Sequence, residues 1–279
     1  MSDEALPPLI DVRNLVKSYG EKTVIDGFDL TVERGETCVI IGGSGSGKTT
    51  LARLLIGLER ADSGEIFIDG ENLVGMGDRD LDRVRRKFAF VFQKYALLDS
   101  MSVFDNVAFP LRETSDLSES EIRTRVHHAL DELGVDEASK QLPAELSGGM
   151  AKRVGIARAI VTDPEILIYD EPTTGLDPAT SRVVDGLIER MRSLHGVTSI
   201  VITHDMVTAY EVSDRVVLLA GGKSLAQGPP EDLFTAHGKE LEAFALSSAI
   251  DLAKLAPRTE RTTPAAIRAA WAARRVLPS

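Results

Sequence analysis

Apolar positions in the first quarter of the chain are spaced as in β-strands. Residues 9–19 and 23–32 are rich in β-formers, and the Gly-Glu pair between them predicts a hairpin near a sheet edge. Thr37–Ile41 is a continuous apolar run, which is typical of a strand buried on both faces. A helix over 49–58 and a short strand over 65–68 are predicted to follow.

Between residues 93 and 159 the pattern changes to that of helices, with no convincing strand among them. These helices are predicted at 103–111, 119–133 and 149–161. Ser118 and Glu121 have the spacing of a capping box at the start of the second one. The segment therefore reads as a helical insert in a chain that begins with strands.

Strand patterns return after the insert. Strands are predicted at 166–169, 199–202 and 215–219, with a helix at 179–194 and a Gly-Gly hairpin turn at 221–222. Strands that alternate with helices indicate an α/β fold. We therefore expect a core with a parallel central sheet, an N-terminal antiparallel β subdomain and an inserted α-helical subdomain.

Composition narrows the possible functions. The formal net charge of −11 argues against a general affinity for nucleic acid. No apolar run approaches the ~20 residues of a membrane helix, and the acidic N-terminus lacks the order of a secretory signal. The single cysteine, Cys38, fits a reducing compartment, and in its strand it is most simply a small core residue. We expect a soluble, cytoplasmic protein.

A glycine-rich loop directly follows the buried strand. Residues 42–49 match the pattern G-x-x-x-x-G-K-[ST] without a gap. Such a loop points successive N–H groups inward, where a helix begins, and so forms a nest for phosphate oxygens. Lys48 can neutralise the β- and γ-phosphates, and the Thr49 hydroxyl can coordinate Mg²⁺. The predicted phosphate-binding residues are Gly42, Gly43, Ser44, Gly45, Ser46, Gly47, Lys48, Thr49 and Thr50.

Two later strands end in side chains that suit the same site. Asp170 and Glu171 follow the strand at 166–169, and His204 follows the strand at 199–202. Parallel strands deliver such residues to one sheet edge, where α/β folds bind ligands. Asp170 is expected to hold Mg²⁺ through water, and Glu171 to orient or deprotonate the attacking water. His204 is expected within reach of a γ-phosphate.

Together with the string Leu146-Ser147-Gly148-Gly149-Met150, these motifs resemble those of the ATP-binding cassette (ABC) ATPases. The resemblance extends over roughly residues 9–235, and within this range the helical insert spans about residues 94–160. The family signature reads LSGGQ, so Met150 departs at the last position and cannot donate the hydrogen bonds of a glutamine. Ser147, Gly148 and Gly149 retain the anion nest at a helix start.

The resemblance implies roles for individual residues. Tyr19 corresponds to the aromatic residue that stacks on adenine, and Gln93 to the Q-loop residue that senses Mg²⁺ and couples the core to the insert. Glu171 and His204 correspond to the catalytic glutamate and the H-loop histidine. Asp177 corresponds to the D-loop residue that crosses a dimer interface. In this family the signature completes the ATP site of the opposite subunit in a head-to-tail dimer.

The resemblance also implies partners. Soluble ABC factors that do not serve transport usually have two cassettes in one chain or long coiled coils, and often basic surfaces. This chain has one cassette, no heptad run and a net charge of −11, which favours the motor of a membrane transporter. Residues 92–112 and 146–153 are similar to the Mla/Mce-type phospholipid transporter ATPases. This subgroup implies an integral permease, an Mce-type lipid-binding subunit, a small STAS-like regulatory subunit and a place on the cytoplasmic face of the inner membrane. The alternative is an importer motor for amino acids or another small solute.

Apolar residues in the first helix of the insert suggest where the permease docks. Phe104, Val107, Phe109 and Leu111 are expected to supply an apolar surface there, although some of them must pack the subdomain itself.

The last residues, 236–279, form a separate extension. From residue 256 on they carry five Arg and one Glu, a net +4, so residues 1–255 carry −15. A helix is predicted at 263–275, capped by Thr263 or Thr262, with Pro264 at its first position. Ile267 and Trp271 share one face and are expected to dock on an apolar patch, and the resemblance implies that an extension of this kind reaches the neighbouring subunit. Arg274 and Arg275 would face the acidic body or anionic lipid. The alternative is a frayed tail with no partner.

Overall fold

The computed structural model describes residues 7–93, 96–236 and, near the C-terminus, residues 263, 264, 266 and 267. Within them the strands are β1 (Ile10–Tyr19), β2 (Lys22–Val32), β3 (Thr37–Ile41), β4 (Ser63–Ile68), β5 (Glu71–Asn72), β6 (Phe88–Val91), β7 (Ile166–Asp170), β8 (Thr198–Thr203), β9 (Arg215–Ala220) and β10 (Lys223–Gly228). The helices are α1 (Lys48–Leu55), α2 (Asp78–Arg85), α3 (Val103–Thr114), α4 (Glu119–Glu132), α5 (Gly148–Ile160), α6 (Pro178–His195), α7 (Met206–Val212) and α8 (Pro230–Ala236).

The strands form the two sheets that the sequence predicts. The larger sheet has the order β10-β9-β3-β8-β7-β6, and its members from β9 to β6 run parallel. β10 returns antiparallel to β9 after the turn at 221–222. The smaller sheet, β2-β1-β4-β5, is antiparallel. The expected α/β core and N-terminal antiparallel subdomain are both confirmed.

β3 shows why the central strands are apolar throughout. Cys38 and Ile40 join the apolar cluster beneath the antiparallel sheet and α1, whereas Val39 and Ile41 join the cluster that includes the helices of the insert. Both faces are therefore buried, as predicted. Cys38 is a fully buried core residue, and burial raises the pKa of its thiol.

The helical insert contains α3, α4 and α5, which pack against one another. The capping box at Ser118 and Glu121 is present in both directions. α3 corrects the expected docking surface, because Val107 and Leu111 lie inside the core and Phe104 is partly buried against it. Phe109 alone of the four is well exposed, at 41%. α3 therefore packs against the core of its own chain with most of the apolar residues that the sequence assigned to permease docking.

β6 is a strand that the sequence pattern did not single out. It has only four residues, Phe88–Val91, and it pairs with β7 at one edge of the large sheet. This strand leads directly to Gln93. No helix among the described residues is long and apolar enough to cross a membrane.

Beyond α8, four residues of the C-terminal extension are described. The Thr263 hydroxyl accepts from the Ala266 N–H at 3.3 Å, and the Ile267 N–H donates to the Thr263 carbonyl, so Thr263 caps a helical turn as predicted. Ile267 is 3% exposed and sits against Gly35 of the same chain. Trp271, Arg274 and Arg275 lie outside the described residues, and the boundary at 235/236 stays a prediction.

Candidate nucleotide-binding site

The loop between β3 and α1 has the conformation that phosphate binding requires. Gly45 and Gly47 adopt positive φ angles of 76° and 106°, which only glycine accepts without strain. A Cβ on Gly42 would lie 2.4 Å from the Leu219 carbonyl oxygen, so this position has room for glycine only. Residues 42–47 therefore curl tightly into the start of α1, where N–H groups have no helical partner.

The Lys48 ammonium closes this loop. Its Nζ donates to the carbonyl oxygens of Gly42 and Gly43 at 2.7 and 3.0 Å. Burial lowers the pKa of Lys48, and the nearby Glu171 and Asp170 carboxylates oppose that shift. A partly desolvated cation within a ring of N–H groups is well placed to bind phosphate oxygens. Thr49 is exposed and lines the same cleft, whereas Thr50 is half-buried further along α1.

Asp170 and Glu171 stand side by side at the carboxyl end of β7. Burial, followed by the charge of Glu171, raises the pKa of Asp170 against the opposing effect of Lys48 and Lys152. A divalent cation beside this partly buried carboxylate would favour its ionised form. Carboxylate and hydroxyl oxygens are the donors that Mg²⁺ prefers. The side chains of Asp170 and Thr49, which line one cleft, fit such an ion.

Glu171 and His204 are in direct contact. The His204 Nδ1 lies 2.7 Å from the Glu171 Oε2, and the Thr174 hydroxyl donates to the same oxygen at 2.9 Å. An ionised carboxylate only accepts, so Nδ1 carries the proton in this arrangement. The Glu171 N–H donates to the Ile202 carbonyl, and the Glu171 backbone is left-handed, with φ 50°. The carboxylate is therefore held by its backbone and by two side chains.

These groups line one cleft of about 920 Å³. Its walls contain every chemically active residue predicted at the sheet edge, namely Lys48, Thr49, Gln93, Asp170, Glu171 and His204. The structure adds Thr173, Arg182 and Asp205, which sequence reasoning missed. Arg182 lies one turn into α6, and only the fold brings that helix to the cleft.

Tyr19 lies at the end of β1 and is 46% exposed. Its hydroxyl donates to Glu59, and the Lys17 ammonium lies 5.3 Å from the centre of its ring. It is not among the residues that line the cleft. Its assignment to adenine stays a prediction.

The signature string occupies a different surface. Ser147 caps α5 by accepting from the Met150 N–H at 3.3 Å, and both Ser147 and Gly148 are exposed. A Cβ on Gly149 would lie 3.2 Å from the Thr180 methyl group, so α5 and α6 begin next to each other. None of the three signature residues lines the cleft. The helix start with its anion-binding geometry therefore does not contribute to the wall of the cleft in its own chain.

Asp177 lies beside the signature string and caps α6. Its Oδ1 accepts from the N–H groups of Ala179 and Thr180 at 3.0 Å, and its Oδ2 accepts from the Thr180 hydroxyl. These hydrogen bonds, led by that of the hydroxyl, lower the pKa of Asp177. Its carboxylate is thus engaged locally, and its role across a dimer interface stays a prediction.

Met150 has a structural explanation. Its side chain is partly buried against the apolar cluster of the insert. A thioether suits that position because it fills irregular apolar gaps. The family's usual glutamine would bring an amide to the same place.

Comparison with known proteins agrees with this geometry. The ABC transporter family profile matches residues 25–174. The chain is 39% identical to the intermembrane phospholipid transport system ATP-binding protein MlaF of Haemophilus influenzae, over 85% of this chain and 89% of that protein. It is 41% identical to the methionine import ATP-binding protein MetN of Mesorhizobium japonicum, over 83% of this chain and 63% of that protein.

Solved structures give the same result. A dimeric ATP-binding cassette in a post-hydrolysis state, bound to ADP and Pi, superposes with a TM-score of 0.72 at 30% identity. The alignment covers 79% of this chain and 98% of that one. The chain belongs to the ABC transporter family and is one of its ATPases.

Proposed function

We propose that this ATPase is the motor subunit of a bacterial ABC transporter and works as a homodimer with two composite sites. One observation carries the proposal: the cleft holds the phosphate loop and the acidic residues, while the signature string opens elsewhere on the surface. A second copy in head-to-tail orientation would place its signature residues over the cleft. The solved relative that is dimeric with ADP and Pi supports this arrangement.

Within one subunit, the loop residues and Lys48 bind the phosphates of ATP, and Tyr19 stacks on adenine. Thr49, Gln93 and Asp170 hold Mg²⁺, which neutralises charge on the β- and γ-phosphates when bound. The Glu171 carboxylate orients a water molecule and takes its proton as the water oxygen bonds to the γ-phosphorus. The bond from that phosphorus to the bridging oxygen breaks, which leaves ADP and phosphate.

His204 serves two purposes in this scheme. Its Nδ1–H keeps Glu171 in place through the 2.7 Å contact. Because His204 lines the cleft, its other nitrogen is the group that we assign to the γ-phosphate. From the opposite subunit, Ser147, Gly148 and Gly149 supply N–H and hydroxyl donors to the same phosphate, and Asp177 sits at the junction of the two subunits. The closed dimer needs both nucleotides, and hydrolysis lets it part.

The second part of the proposal is the transporter context. The motor lies on the cytoplasmic face of the inner membrane and docks on an integral permease. Among the residues of α3, Phe109 is available for that contact because it is well exposed, while Val107 and Leu111 are committed to the core.

The transported substrate is proposed to be phospholipid, moved between membranes with an Mce-type subunit and a STAS-like regulator. The segments 92–112 and 146–153 carry this proposal, because they are similar to the phospholipid subgroup. The 39% identity to MlaF supports it. A second candidate is an importer of an amino acid or another small solute, because the identity to MetN is just as high.

Copurification distinguishes the two candidates. The tagged chain is expressed from its own locus, membranes are solubilised in mild detergent, and copurifying proteins and lipids are identified by mass spectrometry. A Phe109→Asp variant serves as the matched control, because it should lose the permease and keep ATP binding. A permease together with an Mce-type protein and phospholipid supports the first candidate. A solute permease supports the second, and the absence of any membrane protein contradicts both.

A further inference from the structure

α5, the helix that begins at the signature string, carries a buried lysine whose ammonium contacts two residues of the cleft in the same chain. Lys152 lies in the second turn of α5 and is 1% exposed. Its Nζ donates to the Gln93 carbonyl oxygen at 2.9 Å, and the Glu171 carbonyl oxygen lies 3.5 Å away, at the outer limit for a hydrogen bond. Its ammonium thus lies between the backbones of two residues to which the proposed function gives roles in catalysis.

Burying this cation has a cost that only specific contacts offset. Burial lowers the pKa of Lys152 to about 8, and the Asp170 and Glu171 carboxylates oppose the shift. A buried ammonium is tolerated where polar groups surround it, and here they come from the ends of two strands. Gln93 follows β6 and Glu171 follows β7. The side chain therefore joins α5 to both strand ends at once.

A second cation of α5 reaches the same segment further along. The Arg158 guanidinium donates to the Ala96 carbonyl oxygen at 2.6 Å. Gln93 and Ala96 lie three residues apart, and each has its carbonyl bound by a side chain of α5. Side chains of α5 thus hold the chain at Gln93 and again at Ala96, whereas the first turn of α5 carries the signature string.

The position of Glu171 is sensitive to its backbone. Its left-handed conformation leaves the carbonyl facing α5, where it also accepts from the Thr174 N–H at 3.3 Å. A shift of the Lys152 ammonium would change the contacts of this carbonyl and of the Gln93 carbonyl together. The carboxylate of Glu171 follows its own peptide, and a displacement of about 1 Å at a reacting group can cost about 10²-fold in rate.

We propose that Lys152 is a positioning residue for ATP hydrolysis, which holds the Q-loop at Gln93 and the peptide of Glu171 in register with the signature helix. The proposal rests on the roles given above to Gln93 and Glu171. Lys152 does not touch the nucleotide in this account. It makes the placement of the catalytic carboxylate depend on the placement of α5, and so on the opposite subunit's nucleotide.

The test compares steady-state hydrolysis by the purified full chain and its variants. Lys152→Met keeps the length of the side chain and removes the cation, so we expect kcat to fall by about 10–100-fold. The KM for MgATP should change by less than about threefold, because the phosphate loop and Lys48, to which we assign phosphate binding, are unchanged. Lys152→Arg should recover part of the rate. If the Met variant does not fold, Lys152→Gln, whose side chain is shorter than that of lysine and uncharged, is measured instead and should also lower kcat.

Arg153→Met is the matched control. Arg153 is the next residue of the same helix, but its guanidinium lies beside Gly134 in the insert, away from the cleft. The control should keep wild-type kcat. If Lys152→Met and Lys152→Gln also keep it, or if their defect is entirely in KM, the positioning role is contradicted.

A double variant tests whether Lys152 acts through the Q-loop. In a Gln93→Ala background, Lys152→Met should lower kcat by a smaller factor than it does in the wild type, because the two residues act on one segment. Fully multiplicative effects would contradict the coupling. Glu171→Gln is measured in parallel to distinguish failure of the proposed function from failure of the Lys152 proposal. Retained turnover in Glu171→Gln would contradict the proposed function itself, and not only the role of Lys152.

Discussion

The cleft and the signature surface, which is the start of α5 at Ser147, Gly148 and Gly149, differ in how many of the groups needed for ATP hydrolysis they contain. In the cleft, Lys48, Asp170 and Glu171 are partly buried and in electrostatic contact, and His204 is bound to Glu171 at 2.7 Å. On the signature surface, Ser147 and Gly148 are exposed and bind no group of the cleft. The first region has the groups that hydrolysis needs, and the second is an exposed helix start that suits an anion.

This difference explains how ATP hydrolysis would depend on the formation of the proposed homodimer. Glu171 is already hydrogen-bonded to His204. In the proposed mechanism, hydrolysis therefore still requires only donors that enclose the γ-phosphate. In the proposed homodimer, the enclosing donors belong to the signature residues of the opposite copy. Lys152 adds a link within the chain, since it ties the helix that carries the donors to the backbone of Glu171.

The largest expected effect tests the cleft. Glu171→Gln removes the proton acceptor but keeps the shape and the hydrogen bond to Thr174. Turnover should fall by about 10²–10⁴-fold, the usual contribution of a general base. ATP affinity and ATP-dependent dimerisation should persist, as measured by calorimetry and by size-exclusion chromatography. A variant that kept its rate would remove Glu171 from the mechanism.

A smaller effect separates binding from chemistry. Lys48→Ala removes the cation that spans the phosphate loop, and a hydrogen bond to a charged group contributes about 1.5–3 kcal/mol. We expect ATP affinity to fall about 10–100-fold by calorimetry, with a thermal unfolding midpoint close to that of the wild type. Unchanged affinity would show that the amides of the loop suffice without the ammonium.

The smallest expected effect compares two carboxylates on α6. Burial raises the pKa of Asp185 to about 6, and Arg182, whose Nη1 lies 2.9 Å away, opposes the shift. A raised folded-state pKa means that this carboxyl stabilises the fold at low pH, and that its contribution is lost as the pH rises from about 4 through 6. Between pH 5 and 7.5, Asp185→Asn should therefore gain about 1–2 kcal/mol relative to the wild type, by urea unfolding.

Asp177→Asn is the control for this measurement. Capping hydrogen bonds lower the pKa of Asp177, so it stays ionised in the folded and unfolded states throughout that pH range. Asparagine also caps helices well. Its stability relative to the wild type should be independent of pH between 5 and 7.5. Parallel pH profiles for Asp185→Asn and the wild type would contradict the burial effect.

The sequence predicted the parts of the site whose position depends on local chain geometry. A strand end fixes where Asp170, Glu171 and His204 lie, because parallel strands finish at one edge. Continuous apolar runs likewise predicted β3, β7 and β8. β6, a four-residue strand at the edge of the large sheet, was missed.

Other features depend on packing between distant segments, which no local pattern reports. Lys152 and Arg182 look like ordinary helix charges in the sequence, and only the fold brings them to the strand ends. The apolar stripe of α3 was ambiguous for a related reason. A helix that covers a core and a helix that binds a partner have the same spacing, and Val107 and Leu111 prove to belong to the core.

The central claim, that each active site is shared between two copies, is tested most directly by mixing two inactive variants. Ser147→Arg blocks the signature surface and Glu171→Gln blocks the cleft, so either variant alone should be inactive. In an equimolar mixture, mixed dimers contain one intact composite site each, and about a quarter of wild-type turnover should return. Mixing Ser147→Arg with a chain that carries both changes is the control and should stay inactive. Recovery in the first mixture alone is the predicted result, and no recovery there would contradict the shared site.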